Sequence, residues 1–385
     1  MVAVFSLLTL ILTAHSTSPV PPQKSFEEIA KQADAARTAD RIQDAINLYA
    51  AGVRLRPAWS EGWWSLGSLL YDQDRFPEAK TAFVHFAAIT RKPGPAYAFL
   101  GLCEYETRDY AHAVWHFRAW ARDGWAGTPN LIDVAVFHFA LLLTREGRFL
   151  EALYLLATEE EKMGSSPALV EAMGLASLRM AMLPEGYPQE QREMVWLAGE
   201  AAFYASSDPR DFGRADEYAR RLMLHYDQKP NVHSFRGTLY IFEQKYNEAA
   251  GEFRRELQVS SQDVAAMVEL ARLDVAEGEL AEAVSLAKHA AEIEPHKPEA
   301  RQVLGQVLFA NEQFQASARE LEIAKQLAPD GAQIRLYLAK AYSALGRKKE
   351  AEEEVAAWKL LKDKEQVLAP PDEKTRLRKQ PDRPK

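Results

Sequence analysis

Along most of this chain the apolar residues fall at the three-to-four spacing of amphipathic helices, and the helical pattern itself recurs at a longer, constant interval. Small residues stand at Ala33, Gly67 and Gly101, then at Gly237, Ala271, Gly305 and Ala339, each series in steps of 34. A second set, Ala45, Ala79, Ala113, then Ala215, Ala249, Ala283, Ser317 and Ala351, keeps the same step and follows the first at an offset of 12. Four residues beyond the second set a larger side chain recurs: Tyr49, Phe83, Phe117, Phe253, Leu321, Val355. Pro57, Pro295 and Pro329 close three of the units. Turn signals such as Gln73-Asp74-Arg75, Arg108-Asp109, Glu277-Gly278-Glu279 and Leu345-Gly346-Arg347 separate the two sets, so each unit reads as helix, tight turn, helix.

The slots have a physical meaning. A small residue at one fixed place on each helix lets two backbones approach, and a larger side chain one turn further on fills the space between them. Proline ends the second helix because it can neither donate the next hydrogen bond nor clear the preceding carbonyl. Neither helix of a unit can bury its apolar stripe alone, so neighbouring units must stack into one continuous core.

These residues resemble the tetratricopeptide repeat, and in particular bacterial multi-repeat members with an N-terminal signal peptide. Trp63, Leu66, Gly67 and Leu70 with Ala79 and Phe83 follow the family pattern; so do Tyr97, Leu100, Gly101, Ala113 and Phe117, and Gly237, Tyr240, Ala249 and Phe253. Glu104, Asp274 and Ser317 depart from it. The resemblance covers residues 26–162 and 190–364 and implies an all-α fold, a right-handed superhelical solenoid of antiparallel helix pairs.

The middle loses register. The step from Ala113 to Ala152 is 39, absorbed by a longer loop over Gly124–Asn130, and the step from Ala152 to Ala215 is 63. Residues 163–210 therefore read as an irregular helical segment between tetratricopeptide arrays at 26–162 and 211–347, with a break over Leu183–Gln189. Decay of one repeat explains this, and so does a bend or a division into two sub-arrays. A charged capping helix is expected over 348–368, and a basic, proline-containing, disordered tail over 369–385. At the other end, the uncharged apolar run Val2–Ala14 and the small residues of Ala14-His15-Ser16 suit a signal peptide over 1–18, followed by a linker over 19–25. Export to a periplasmic or extracellular compartment is then expected, and a cytoplasmic location if the segment is not a signal. No later stretch is apolar enough to span a membrane.

Composition narrows the function. A net charge of -8 argues against a nucleic-acid footprint, which needs clustered Lys and Arg. The one cysteine, Cys103, permits neither an internal disulfide nor a thiolate metal cage. His112 and His116 have the i, i+4 spacing of a metal pair, but no glutamate follows the first histidine and the pair flanks a packing slot. No metal, cofactor or catalytic set is expected.

A binding surface is easier to argue. The family resemblance implies that first helices line a concave groove through the residue one beyond the small slot and its neighbours one turn away. In the N-terminal half these are Trp64, Ser68 and Tyr71, then Ala98, Leu102 and Tyr105, then Phe137 and Leu141. In the C-terminal half they are Ser234 and Thr238, Val268 and Arg272, Gln302 and Gln306, Leu336 and Lys340, a more polar lining. An apolar groove suits an extended peptide or a partner's amphipathic helix. Plain packing against the adjacent unit accounts for the same stripe. The family's carboxylate-binding mode is not expected, since Ala30, Asp34, Trp64 and Ser68 replace its Lys and Asn. The leading expectation is a non-enzymatic scaffold that binds a protein segment in the groove. The competing ones are an assembly subunit of a cell-envelope complex and an enzyme with a site in the irregular segment.

Overall fold

Each unit of the pattern folds as two helices joined by a turn with one residue in the left-handed region. In the computed structural model, which describes residues 25–91, 93–207 and 209–368, that residue is Asp40, Asp74 or Arg108 in the first three units. It is Gln244, Gly278, Glu312 or Gly346 in the last four. The spacing is again 34, and the next amide closes the turn onto the carbonyl five residues back, as from Arg75 to Leu70 (2.9 Å) and from Gln313 to Leu308 (2.9 Å). Such a close satisfies the orphan carbonyls at the end of a first helix. Every regular element among the described residues is helical. The proposed signal peptide and linker, apart from Ser25, and the tail lie outside the described residues.

The described chain divides into two compact units, one ending at His85 and the other beginning at Phe86. The first holds α1 (Phe26–Thr38), α2 (Ile42–Leu55), α3 (Ser60–Tyr71) and α4 (Phe76–Ile89) as far as His85. Its core is set by the expected slots: a Cβ on Gly67 would stand 2.9 Å from the Phe83 ring, and Ala33 and Tyr49 are fully buried.

The second unit begins with the pair α5 (Pro95–Glu106) and α6 (Tyr110–Arg122), then α7 (Pro129–Arg145) and α8 (Phe149–Ala157), followed by the single turn α9 (Glu160–Met163). After α10 (Pro167–Ser177), α11 (Arg192–Ser206) and α12 (Phe212–Tyr226) come four regular pairs. These are α13 (Val232–Phe242) with α14 (Tyr246–Val259), and α15 (Val264–Glu277) with α16 (Leu280–Ile293). The last two are α17 (Pro298–Ala310) with α18 (Phe314–Leu327), and α19 (Ala332–Ala344) with α20 (Lys348–Leu368). The small-against-large rule holds throughout: a Cβ on Gly101 would stand 2.6 Å from Phe117, on Gly237 2.9 Å from Phe253, and on Gly305 2.5 Å from Leu321. Ser317 keeps the slot small and donates from Oγ to the Gly305 carbonyl at 2.7 Å, so its hydroxyl is satisfied inside the helix pair.

The irregular segment has a simple cause. α10 ends in the same left-handed turn as a first helix, with Arg179 at φ 53° and Met180 N bonded to the Leu175 carbonyl (2.9 Å). Where its second helix should follow, Pro184 and Pro188 allow only two 3₁₀ turns, Pro184–Gly186 and Gln189–Gln191. Without an intervening helix, α10 packs directly on α11. Gly174 lies so close to Val195 that a Cβ would sit 2.0 Å from its carbonyl oxygen, and Gly199 stands in the reciprocal relation to Val170 at 1.9 Å.

Two of the departures from the repeat pattern bury a carboxyl group. Glu104 is 1% exposed and bonds His116 Nδ1 at 2.6 Å. Asp274 is fully buried and accepts from Arg254 at 2.9 Å, and burial pushes its pKa up to about 6 despite that partner. Burial likewise pushes Glu160, which accepts from the Ser206 hydroxyl, up to about 7. A carboxyl whose pKa is raised on folding binds more protons in the folded chain. Its contribution is therefore fully present below the unfolded value and is lost as pH rises through the folded one. Relative to Asp274→Asn, the wild type is expected to lose melting temperature progressively between about pH 4 and about pH 6. A gap that stays constant over that range, followed by circular dichroism, would rule this out.

Candidate protein-binding face

First helices present their outward residues differently in the two units. In the first, Trp64 packs edge-on against Phe83 at 5.6 Å, Tyr71 against Phe76 at 5.5 Å, and Ser68 Oγ donates to the Trp64 carbonyl at 3.0 Å. All three are half-buried and engaged within their own helix pair.

In the second unit, α5 and α7 pack side by side. That contact buries Ala98, Leu102 and Leu141, which form a floor and do not line the surface. Above the floor stand Tyr105 and Phe137, both half-buried. Tyr105 meets His138 edge-to-face at 4.7 Å and Tyr110 at 5.8 Å. His138 Nδ1 lies 2.7 Å from the Val134 carbonyl, an oxygen that can only accept. The Nδ1–H tautomer follows, with Nε2 left as an acceptor. Burial holds the His138 pKa below its ordinary value, against the pull of the Val134 carbonyl, Glu106 and Glu185. Burial also raises the Tyr105 phenol, helped by the charges of Glu185, Tyr110 and Glu106. The 3₁₀ turn that replaces a helix after α10 thus brings Glu185 into the field of this aromatic face.

Part of the C-terminal lining is committed to internal contacts. Thr238 Oγ1 donates to the Ser234 carbonyl at 2.9 Å, and Ser234 and Val268 are buried. Arg272 is paired with Glu269 at 2.5 Å and with Glu299 at 3.5 Å. Gln302, Gln306 and Leu336 are half-buried, and exposed Lys340 lies over the Tyr337 ring at 4.4 Å.

Residues that suggested chemistry are held in structural pairs. Exposed His112 bonds Asp109 at 2.7 Å while His116 bonds Glu104, and Cys103 is fully buried. The buried His233, bonded to Glu252 at 2.7 Å, opens on a cleft with Asp227, Gln228 and Arg255. Its counterparts 68 and 102 residues on are Arg301–Glu320 (2.7 Å) and Arg335–Glu354 (2.9 Å), and the intervening unit substitutes Met267 and Leu286 in one apolar cluster. A position that alternates between ion pair and apolar contact serves packing between helices. Among the described residues no cluster of three or more His, Cys, Asp or Glu could hold a metal, and no helix is long and apolar enough to cross a membrane.

No curated protein matches the chain. Among solved structures it is similar to MamA (15% identity over 41% of this chain and 93% of that one, TM-score 0.37). It is also similar to MamA from Desulfovibrio magneticus RS-1, residue 41 to the end (17%, 43% and 96%, TM-score 0.36). A third is YrrB, described as a TPR protein with an unusual peptide-binding site (15%, 47% and 92%, TM-score 0.37). A tetratricopeptide repeat model matches residues 30–83 and 303–363. Residues 30–83 and 303–363 are thus tetratricopeptide repeats, and further helix pairs lie between them.

Proposed function

We propose that this protein binds a segment of a partner protein on the face of α5 and α7, where Tyr105 and Phe137 flank His138 above the Leu102 and Leu141 floor. The tetratricopeptide repeat fold is that of a protein–protein interaction scaffold, and its members are typically non-enzymatic. The observation that carries the finer reading is the half-exposed aromatic run on two adjacent first helices, where Tyr105 meets His138 edge-to-face. Aromatic anchors over a dry floor supply most of the affinity in such sites, and the acidic rim of Glu106 and Glu185 favours a partner segment carrying Lys or Arg.

The test is recovery of partners from the native host with the wild type and with Tyr105→Ala plus Phe137→Ala, with Gln306→Ala plus Lys340→Ala as a second variant. Recovery is expected to fall at least tenfold for the aromatic pair alone, with helical circular dichroism unchanged. Equal recovery across the three proteins would exclude this face.

A further inference from the structure

α20 does not only cap the last pair: it also packs against α6, the partner helix of α5. Residues 369–385 therefore leave the described chain at a helix that touches the pair carrying the aromatic face. α20 is roughly 30 Å long, and residues 369–385 can extend to roughly 55 Å. Fully extended, they exceed the length of α20 itself.

Their chemistry matches that face. The segment holds Pro370, Pro371, Pro381 and Pro384, and six basic residues against three acidic ones. Proline-rich segments present a preformed extended helix that docks between aromatic rings with little further loss of entropy. Arg and Lys can stack on such rings and pair with carboxylates at their rim. The face offers Tyr105 and Phe137, and the charges of Glu106 and Glu185 act on Tyr105 and His138.

We propose that residues 369–385 dock within the same chain on the face of α5 and α7, so that a partner must displace them to bind. This rests on the reading of that face as the partner site. A tether this short holds a segment at an effective concentration on the order of millimolar, so weak intrinsic binding suffices to occupy the face.

The experiment uses the chain ending at Leu368, which keeps every described helix, and a fluorescent synthetic peptide of residues 369–385 followed by anisotropy. Saturable binding is expected, at least tenfold weaker for Tyr105→Ala plus Phe137→Ala and for Glu106→Lys plus Glu185→Lys, each checked for fold by circular dichroism. The full chain should bind the peptide at least tenfold more weakly than the truncated one, because its own segment competes. Absence of saturable binding, equal binding of a scrambled peptide, or equal affinity of full and truncated chains overturns the proposal. So does a concentration-dependent mass of the full chain in sedimentation that the truncated chain lacks, which would mean that the segment bridges two copies. The peptide measurement involves no partner. Its failure leaves the partner-binding reading standing, and loss of partner binding with intact peptide binding overturns only the latter.

Discussion

Gly199→Val is expected to be the most damaging single substitution in the described chain, costing about 3 kcal/mol or more, since overpacking against an immovable neighbour exceeds the usual range. At the other glycine slots the added carbon would meet a ring edge or a leucine tip, which can shift. At Gly199 it would meet the Val170 carbonyl oxygen at 1.9 Å, and at Gly174 the Val195 carbonyl at 2.0 Å, so the two helix backbones themselves would have to separate. Separation opens the layer that includes Leu169, Met173 and Leu175, all at most 1% exposed. Gly251→Ala in α14 provides the contrast, because nothing lies within 4 Å of the added carbon. That change should stabilise by about 0.5–1 kcal/mol through helix propensity alone. Thermal unfolding followed by circular dichroism reads both. A Gly199→Val chain that melts with the wild type would show that α10 and α11 can part without cost.

Glu256→Ala ranks second, at about 2–4 kcal/mol. Glu256 is fully buried near the end of α14, and its carboxyl accepts the amides of Asn231 (2.8 Å) and Ser234 (3.0 Å), so a side chain of the second helix caps the first helix of its own pair. Burial raises its pKa while those two amides pull it back. Alanine would leave both amides, that of Ser234 buried, without this acceptor. Glu256→Gln should cost roughly half as much, since the amide oxygen can take one donor while its NH₂ faces the other. Hydrogen exchange at Asn231 and Ser234 localises the effect: both amides should lose protection in the alanine variant, and unchanged protection would contradict the capping role.

The slot pairs Gly67–Phe83, Gly101–Phe117, Gly237–Phe253 and Gly305–Leu321 were legible from spacing because each is a local contact inside one helix hairpin, repeated at a constant 34 residues. The turn residues at the same interval were legible for the same reason. Gly174 and Gly199 were not. Their separation of 25 belongs to no repeat step, and it has meaning only because Pro184 and Pro188 remove the helix that would have kept α10 and α11 apart. The candidate face was half legible. Tyr105, Phe137, Leu102 and Leu141 follow from the first-helix register, but that register cannot say which of them lie in the floor and which reach the surface.

What the sequence determined by itself is whatever depends on periodicity: the all-helical class, the pairing of neighbours, and the small and large positions that set their distance. Those properties arise from residues close along the chain, where spacing translates directly into geometry. What only the tertiary structure decided joins residues far apart in the chain. It brought the charge of Glu185 to bear on Tyr105 and His138, and it returned α20 to α6. Such contacts depend on small rotations accumulated from one helix pair to the next, and no single residue or spacing encodes that sum.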